Sequence, residues 1–340
     1  MVQRRLRHEH YTVGWVCALP IELAAAEEML DEKHHSFSVG GSDTNQYILG
    51  RIGDHNVVIS CLPAGKIGTT SAAAVAIRMI SKFPSIRFGL MVGVGGGVPS
   101  TNPTRDIRLG DVVVSQPCNK HGGVVQYDFG KSIPEGFERT GSLNAPPEVL
   151  LSALSTLEAN YIRQQTRLPA YVSRLTERLP HFSREVAGDD ILFLANYDHV
   201  GGDTCEQCSR DKLVQRIPRL NQDVIVHYGA IASGNRVMRH ARERDDISKK
   251  LGGVLCFEME AAGLMDRLPC LVIRGICDYA DSHKNKTWQP YAAATASAYA
   301  KELLSIISAA EVAETRAVGG IANGQLRNCS YQINRTPWLI

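Results

Sequence analysis

The chain has 340 residues, of which 44% are hydrophobic, 21% charged and 6% aromatic. A chain of this length buries about three quarters of the surface that it exposes when unfolded, so it forms a full core without disulfides or metal ions. Its 37 basic and 35 acidic residues give a net charge of +2, which excludes a general attraction to nucleic acid or to membrane surfaces. The sequence contains no run of about 18 uncharged apolar residues, so we expect no transmembrane helix.

The cysteines and the first residues of the chain bear on its cellular compartment. Nine cysteines are present, an odd number scattered through apolar segments, which is typical of reduced, buried thiols and not of a disulfide framework. Residues 1–10 are charged and lack the apolar segment of a secretion signal. We therefore expect a cytoplasmic protein.

Short β-rich runs alternate along the chain with helical stretches, a pattern typical of an α/β protein. The third predicted strand runs into the glycine cluster Gly93-Val-Gly-Gly-Gly97, which we expect to be a tight turn or a ligand-binding loop. We predict strands at 11–18, 56–62, 87–92, 111–116, 224–232 and 268–277, and helices at 21–30, 69–81 and 289–309.

Changes in this alternation indicate the domain organisation. We expect one large domain at 11–312, preceded by a tail at 1–10 and followed by a second tail at 313–340, where the periodicity fades. Within the domain, residues 146–221 are polar and helical, with proline and glycine breaks and little strand material. We interpret this stretch as an insertion of helices and loops.

Acidic residues recur where predicted strands end, and ligands of open α/β sheets bind beyond the carboxyl ends of the strands. Glu22 lies in the segment Ala18-Leu-Pro-Ile-Glu22, at the junction between the first strand and the first helix. A glutamate in the first helical turn also suits the helix dipole. For this residue alone, the purely structural explanation is the stronger one.

The glycine cluster and the segment Cys256-Phe-Glu-Met-Glu-Ala-Ala-Gly263 carry two further signals. The cluster lets backbone N–H groups approach a ligand, but it lacks the spacing and the following helix of a dinucleotide site, and a structural turn explains it equally well. Glu258 and Glu260 are two acids in an apolar context, where burial without partners is costly. Glu260 at a helix start either accepts hydrogen bonds from two vicinal hydroxyls or simply faces the helix dipole.

The last predicted strand leads into Arg274-Gly-Ile-Cys-Asp-Tyr-Ala-Asp281, in which Asp278 either acts as an acid or caps a turn. The order and placement of these four segments resemble the nucleoside phosphorylase and nucleosidase superfamily, in the form found in filamentous fungi. The resemblance covers residues 11–307, and the segments 256–263 and 274–281 are its most specific motifs. It implies a three-layer α/β/α fold with a central mixed twisted sheet flanked by helices.

The resemblance also implies a role for each matching residue. Asp278 matches the family aspartate that protonates N7 of a purine as the glycosidic bond breaks. Glu260 matches the glutamate that binds the ribose 2′- and 3′-hydroxyls, with Met259 packing under the sugar and Glu258 in the same ribose site. The residues that this resemblance assigns to the base site are Gly234, Asn235, Val237, Met238 and Cys277.

The base site departs from the family pattern at two positions. The family usually has an aspartate where this chain has Asn235, and an aromatic residue where it has Val237. Another aromatic side chain, Tyr127 or Trp288, is therefore a candidate for stacking on the base.

Hydrolysis and phosphorolysis are both known in the superfamily, and Glu22 favours hydrolysis. Phosphorylases of the family bind phosphate through cationic groups, whereas residues 18–22 and 90–92 contain no arginine or lysine. A glutamate that faces the nucleophile repels phosphate and activates water. Glu22 aligns with the water-activating glutamate of the methylthioadenosine/adenosylhomocysteine nucleosidases, and Arg274 aligns with an arginine that helps to hold that water.

The resemblance thus predicts a purine nucleosidase that needs no cofactor or metal. A phosphate-dependent purine nucleoside phosphorylase, with Lys66 as a phosphate-binding cation, and a non-catalytic nucleoside-sensing module remain alternatives. Val94 stands where the nucleosidases have a serine that helps to hold the water. The residues that we expect around the water or anion are Gly65, Val94, Gly95 and Gly96.

The partners that we expect are a purine nucleoside and water, with no nucleic acid and no membrane. We also expect a homo-oligomer, a dimer or trimer, because a neighbouring subunit commonly completes the 5′ pocket in this family.

One further motif, Cys205-Glu-Gln-Cys208 with His199 upstream, has the residue types of a zinc site. Structural zinc sites usually have four ligands, and the sequence contains no second Cys-x-x-Cys. The sequence therefore favours no metal at this place.

Overall fold

The computed structural model describes residues 4–35, 43–100, 105–118, 120–219, 221 and 223–318. None of the helices in these ranges combines the length and the apolar character that crossing a lipid bilayer requires. The strands are β1 (Val13–Cys17), β2 (Glu32–Lys33), β3 (Ile48–Ile52), β4 (His55–Cys61), β5 (Phe88–Gly97), β6 (Val112–Ser115), β7 (Val124–Gln126), β8 (Gly130–Ile133), β9 (Gly136–Arg139), β10 (Val226–Gly229), β11 (Ile231–Ser233), β12 (Cys256–Glu258) and β13 (Cys270–Asp278). The helices are α1 (Pro20–Glu28), α2 (Thr69–Lys82), α3 (Glu148–Ile162), α4 (Leu168–Arg178), α5 (Arg184–Ala187), α6 (Ala241–Lys250), α7 (Ala261–Leu264), α8 (Gln289–Ile306) and α9 (Ala309–Glu314).

Eleven of the described strands form one mixed sheet, in the order β10-β6-β13-β5-β1-β4-β3-β2, with β12, β11 and β7 branching from β5. Strand β5 lies at the centre, parallel to β1 on one side and to β13 on the other. Its glycine-rich end extends beyond β1 and pairs with β12 in the antiparallel direction through Gly96 and Gly97. Strand β5 therefore joins the two parts of the sheet.

Helices cover both faces of this sheet. Val13, Trp15 and Cys17 of β1 belong to the apolar cluster beneath α1 and α8, whereas Val16 belongs to the cluster beneath α2 and α7. Successive side chains of a strand point to opposite faces, so β1 is buried on both sides. The expected three-layer α/β/α architecture with a mixed central sheet is confirmed.

The structure confirms the type of most predicted elements and corrects two of them. Strand β5 continues through Gly97, where we expected a turn or loop, because β12 and β13 pair with the glycine segment from both sides. The predicted strand 224–232 is two strands, since β10 pairs with β6 while Ile231 begins a strand that pairs with β7 and β12. The predicted tail lies outside the described residues from position 319 onward.

The long helix α8 is buried on nearly all sides, because it lies between the sheet and the helices of residues 146–221. Its alanine-rich sequence permits this close packing. Lys301 and Glu302 are buried with partners: Lys301 Nζ donates to Asp31 Oδ1 at 2.6 Å, and Glu302 Oε2 accepts from Thr166 Oγ1 at 2.9 Å. The 146–221 stretch therefore packs on the same core as the sheet.

Gly275 of β13 allows the sheet to approach α8 so closely that a Cβ at this position would overlap the backbone carbonyl of Ala292. Because neither backbone can move aside without disturbing the core, we predict that Gly275→Ala lowers the free energy of unfolding by about 3 kcal/mol. Chemical denaturation measures this change. Ile77→Ala, at an exposed position of α2, is the control and should change stability by about 0.5 kcal/mol or less. Equal stability of the two variants would contradict the close packing.

Candidate active site

A cavity of about 200 Å³ lies where β1, β12 and β13 end beside the glycine segment of β5. This is the edge at which open α/β sheets bind ligands. Three glutamates, Glu22, Glu258 and Glu260, are among its lining residues. Asp278 lies directly behind two further lining residues, Cys277 and Lys284, both of which contact its carboxylate. The structure thus brings together the four acidic residues predicted from separate segments of the sequence.

Glu22 is 2% exposed and is held by three backbone N–H groups. Its Oε2 accepts hydrogen bonds from the N–H groups of Ala18 at 2.7 Å and Leu19 at 3.0 Å, and its Oε1 accepts one from Val94 at 2.8 Å. Burial raises the pKa of the Glu22 carboxyl, although Arg274 and the three N–H groups oppose the rise. A carboxylate with a raised pKa at the wall of a cavity is a suitable proton acceptor.

Two glycines of β5 make room for the charged side chains. A Cβ at Gly93 would lie 2.6 Å from Nη1 of Arg274 and would also overlap the carboxylate of Glu22. A Cβ at Gly96 would lie 2.7 Å from Oδ1 of Asp278. The glycine cluster is therefore not the turn or loop that we expected but the end of a strand, and its missing side chains let three polar residues meet.

Arg274 is fully buried and links two of the glutamates. Its Nη2 donates to Oε2 of Glu258 and lies 3.5 Å from Oε2 of Glu260. Burial acts to lower the pKa of Arg274, but the carboxylates of Glu258, Glu260 and Glu22 raise it more, so the guanidinium stays charged. Glu258 also accepts hydrogen bonds from the N–H groups of Glu260 and Ala261 at the start of α7. Its carboxylate is engaged, which favours a positioning role over the ribose contact predicted from the sequence.

Glu260 has more capacity to bind a ligand. Its Oε1 accepts only a long hydrogen bond of 3.3 Å from the N–H of Gly68, and its contact with Arg274 is also long. Burial raises the pKa of Glu260, with Arg274 opposing the rise and the carboxylates of Glu258 and Glu22 adding to it. Met259 lines the same wall of the cavity.

Asp278 is 5% exposed and forms an ion pair with Lys284, whose Nζ lies 2.8 Å from Oδ2. Oδ1 accepts a hydrogen bond from the N–H of Ala280 at 2.8 Å, and Cys277 Sγ lies 3.1 Å from Oδ2. Burial acts to lower the pKa of Lys284, but Asp278 raises it more, so the ammonium keeps its proton beside the carboxylate. Lys284 is not predicted from the sequence, because a single lysine in a loop carries no pattern.

The residues predicted to bind a base divide into two groups. Val237, Met238 and Cys277 line the cavity. Asn235 does not: its Oδ1 accepts hydrogen bonds from the backbone N–H and the hydroxyl of Thr69, both at 3.0 Å, at the start of α2. Gly234 also lies outside the lining and packs closely against the loop that carries Asp128.

Neither aromatic residue suggested for base stacking lines the cavity. The Tyr127 hydroxyl donates to the carbonyl of Arg236 at 2.8 Å, and the Trp288 ring is buried against Tyr291. Phe257 lines the cavity instead. Phe257 precedes Glu258 in the 256–263 motif, and this position is the sequence feature that predicts its place in the cavity.

The residues predicted to surround the water or anion also divide into two groups, those that line the cavity and those that do not. Val94, Gly95 and Gly96 line the cavity, and Val94 contributes the N–H that binds Glu22. Gly65 and Lys66 are exposed in the turn before α2 and are not part of the lining, to which the neighbouring Ile67 belongs. Lys66 is therefore exposed in this turn and does not line the cavity as a phosphate-binding cation would.

Comparison with known proteins identifies the family. The model of a family described as the Phosphorylase superfamily matches residues 12–310. A nucleotide-binding leucine-rich repeat (NLR)-like protein of Hyaloscypha variabilis is 47% identical over 304 residues, which are 89% of this chain and 30% of that protein. The chain thus spans less than a third of the length of this relative.

Two more distant relatives are nucleosidases. The 5′-methylthioadenosine/S-adenosylhomocysteine nucleosidase of Mycobacterium bovis is 25% identical over 307 residues, covering 87% of this chain and 96% of the relative. The ATP nucleosidase Cap17 of Escherichia coli is 24% identical over 289 residues, covering 82% of this chain and 48% of the relative.

The fold is also similar to a solved structure. The 5′-methylthioadenosine/S-adenosylhomocysteine nucleosidase of Neisseria meningitidis, in complex with methylthio-immucillin-A, superposes with a TM-score of 0.52 at 18% identity, covering 86% of this chain and 98% of that one. The family match extends over most of the chain and includes every element that forms the cavity. The chain belongs to the Phosphorylase superfamily.

Proposed function

We propose that this protein is a nucleosidase that hydrolyses the N-glycosidic bond of purine ribonucleosides to free base and ribose. The observation that carries the proposal is the buried Glu22 carboxylate, fixed by three N–H groups at the wall of the cavity. Its raised pKa suits it to take a proton from an attacking water. The nucleosidase relatives support the same class of reaction.

Glu22 also argues against phosphate as the nucleophile. Backbone N–H groups at the start of a helix are common phosphate ligands, but those of Ala18 and Leu19 before α1 already donate to Glu22, as does the N–H of Val94 in β5. The nearby buried cation, Arg274, is engaged by Glu258 and Glu260. A phosphate dianion at this place would face several carboxylates at close range, whereas a neutral water would not.

The ribose is assigned to the wall formed by Glu260 and Met259. The two long hydrogen bonds of Glu260 leave its carboxylate able to accept stronger ones from the 2′- and 3′-hydroxyls. Arg274 and Glu258 act behind it as positioning residues. With the sugar held here, the positive charge that develops at C1′ lies among carboxylates, which lowers the barrier electrostatically.

The base is assigned to the side of the cavity lined by Phe257, Val237 and Met238. The proton donor for N7 is Asp278, whose carboxylate contacts the lining residues Cys277 and Lys284. The Asp278 carboxyl takes up a proton from solvent and donates it to N7 as the glycosidic bond breaks, and solvent replaces that proton after the base has left. Lys284 keeps its own proton and orients the carboxyl through their ion pair. The base then leaves as a neutral molecule, with no metal or organic cofactor taking part in these steps.

A second substrate class, purine nucleosides with a 5′-phosphate chain, is favoured by the two cations that line the cavity, Arg236 and Lys284. The ATP nucleosidase relative supports this candidate. Both cations have carboxylate partners, Glu243 and Asp278 respectively, with which a phosphate must compete. Initial rates with adenosine, inosine, 5′-methylthioadenosine and ATP separate the two classes.

Two exposed apolar residues at the mouth of the cavity support the proposal that the protein is a homo-oligomer. Ile67 and Val237 line the cavity and are 46% and 47% exposed. Apolar side chains beside a binding site are commonly covered by a ligand or by a second chain. We propose that a neighbouring subunit covers them and completes the 5′ side of the site.

Replacement of Glu22, the proposed general base, tests the proposal. Glu22→Gln keeps the size of the side chain but removes the proton acceptor, so we expect kcat to fall by about 10²- to 10⁴-fold while nucleoside affinity changes little. Release of free base measures turnover, and calorimetry measures binding. The matched control is Glu27→Gln on the same helix, whose carboxylate pairs with Lys33 at the surface. Full activity of Glu22→Gln, or nucleoside binding without turnover by the wild type, would overturn the assignment.

The raised pKa of Glu22 predicts the acid side of the pH profile. The Glu22 carboxyl must be ionised to accept a proton, so kcat/KM falls as the pH drops through the pKa of this group. Because burial raises this pKa, the fall should begin above the value of 4.5 for an ordinary glutamate. Glu260, whose pKa is raised by burial too, acts in the same direction. Initial rates measured in buffers of constant ionic strength check this, and a rate that stays constant down to pH 4.5 would be the contradictory result.

A further inference from the structure

Three metal-ligating side chains form a cluster outside the cavity, in the segment between α5 and β10. One ligand atom from each of His199, Cys205 and Cys208 lies within 4.8 Å of the other two, and both cysteines are free thiols. Zn²⁺ in a tetrahedral site has bond lengths of about 2.0–2.3 Å, which separates its ligand atoms by roughly 3.3–3.8 Å. Small side-chain adjustments therefore bring the three atoms to the geometry of a zinc site.

The hydrogen bond of His199 leaves one ring nitrogen free for a metal. Its Nε2 lies 3.0 Å from the carbonyl oxygen of Thr204. A carbonyl oxygen only accepts, so Nε2 carries the proton and Nδ1 has the available lone pair. Histidines that bind a metal usually donate their other nitrogen in this way, because the bond fixes the tautomer and the orientation of the ring.

His283 provides a second, independent observation. Its side chain is only 7% exposed and its Nδ1 lies 3.8 Å from Oδ1 of Asp281, and within the part of the chain that the structure describes neither ring nitrogen has a hydrogen-bond partner. Buried polar side-chain atoms normally have such partners, so this imidazole lacks an expected ligand. Its ring centroid lies 5.6 Å from that of His199, and its carbonyl oxygen lies 3.9 Å from Cys205 Sγ. The imidazole thus lies beside the cluster, stacked on the Phe193 ring at a centroid distance of 4.1 Å, and a change of its side-chain rotamer is needed for a ring nitrogen to reach the metal.

We propose that His199, Cys205, Cys208 and His283 form a structural Zn²⁺ site. Two thiolates and two imidazoles are the ligand types that zinc prefers, and four protein ligands close the coordination sphere. Both cysteines release their protons when the metal binds. The sequence argues against a metal because it contains no nearby fourth ligand, and folding supplies this ligand from the loop after β13.

The site has a defined consequence for the fold. It ties the segment 199–208 to the loop 281–284, which the hydrogen bond from the His199 N–H to Ser282 Oγ at 3.0 Å already joins. Lys284, the partner of Asp278, belongs to the same loop. The metal thus stabilises the loop that carries a side chain of the cavity.

Metal content tests the proposal directly. Untagged protein, expressed without added zinc and purified under reducing conditions without chelators, should contain about one Zn²⁺ per chain by elemental mass spectrometry. Cys205→Ser/Cys208→Ser should contain none, whereas Cys118→Ser, at a partly buried cysteine elsewhere, should retain the wild-type content. His283→Ala should bind zinc at least tenfold more weakly in competition with a chromophoric chelator.

Further measurements on the wild-type protein do not depend on the variants. Replacement of the metal by Co²⁺ should give the charge-transfer absorption of thiolate ligands, and chelation should lower the melting temperature. Zinc-free wild type without Co²⁺ absorption would overturn the proposal, as would a Cys205–Cys208 disulfide found by intact-mass analysis. Unchanged zinc affinity in His283→Ala would overturn the assignment of the fourth ligand.

Discussion

The candidate site depends on the absence of side chains along the second half of β5. Gly93 makes room for the Glu22 carboxylate and the Arg274 guanidinium, and Gly96 makes room for Asp278. Glycine normally weakens a strand, but here the pairing of β12 and β13 on both sides holds the segment in the sheet. Three elements that are distant in the sequence can therefore place their polar residues around one cavity.

The same close approach creates an electrostatic problem, which Arg274 resolves. Glu22, Glu258 and Glu260 are all buried, and buried carboxylates are costly without partners. Arg274 contacts Glu258 and Glu260 directly and also opposes the rise in the pKa of Glu22, whose carboxylate accepts hydrogen bonds from three backbone N–H groups. Glu22 is therefore fixed in place and still has a pKa raised by burial, which are the two properties that a general base requires.

The sequence predicts the fold class and the position of four acidic residues at one edge of the sheet, because strand ends, apolar runs and the 256–263 and 274–281 motifs are local features. The sequence predicts poorly which groups each polar side chain contacts in the folded chain. Glu258 and Asn235 are assigned to the ligand from the motif alone, yet their side chains bind Arg274 and Thr69 in the folded chain. Lys284 and the contact of His283 with the 199–208 segment depend on the path of loops, which no periodicity encodes.

We propose that the Glu22 carboxylate occupies the place at which phosphorylases of this superfamily bind phosphate. The reverse reaction tests this proposal most directly, since only a phosphorylase can join ribose 1-phosphate to a free purine base. When the protein is incubated with ribose 1-phosphate and adenine or hypoxanthine, we expect that no nucleoside forms. We also expect the forward reaction to yield free ribose at the same rate with and without phosphate. Formation of a nucleoside, or of ribose 1-phosphate in the forward direction, would contradict the role of Glu22.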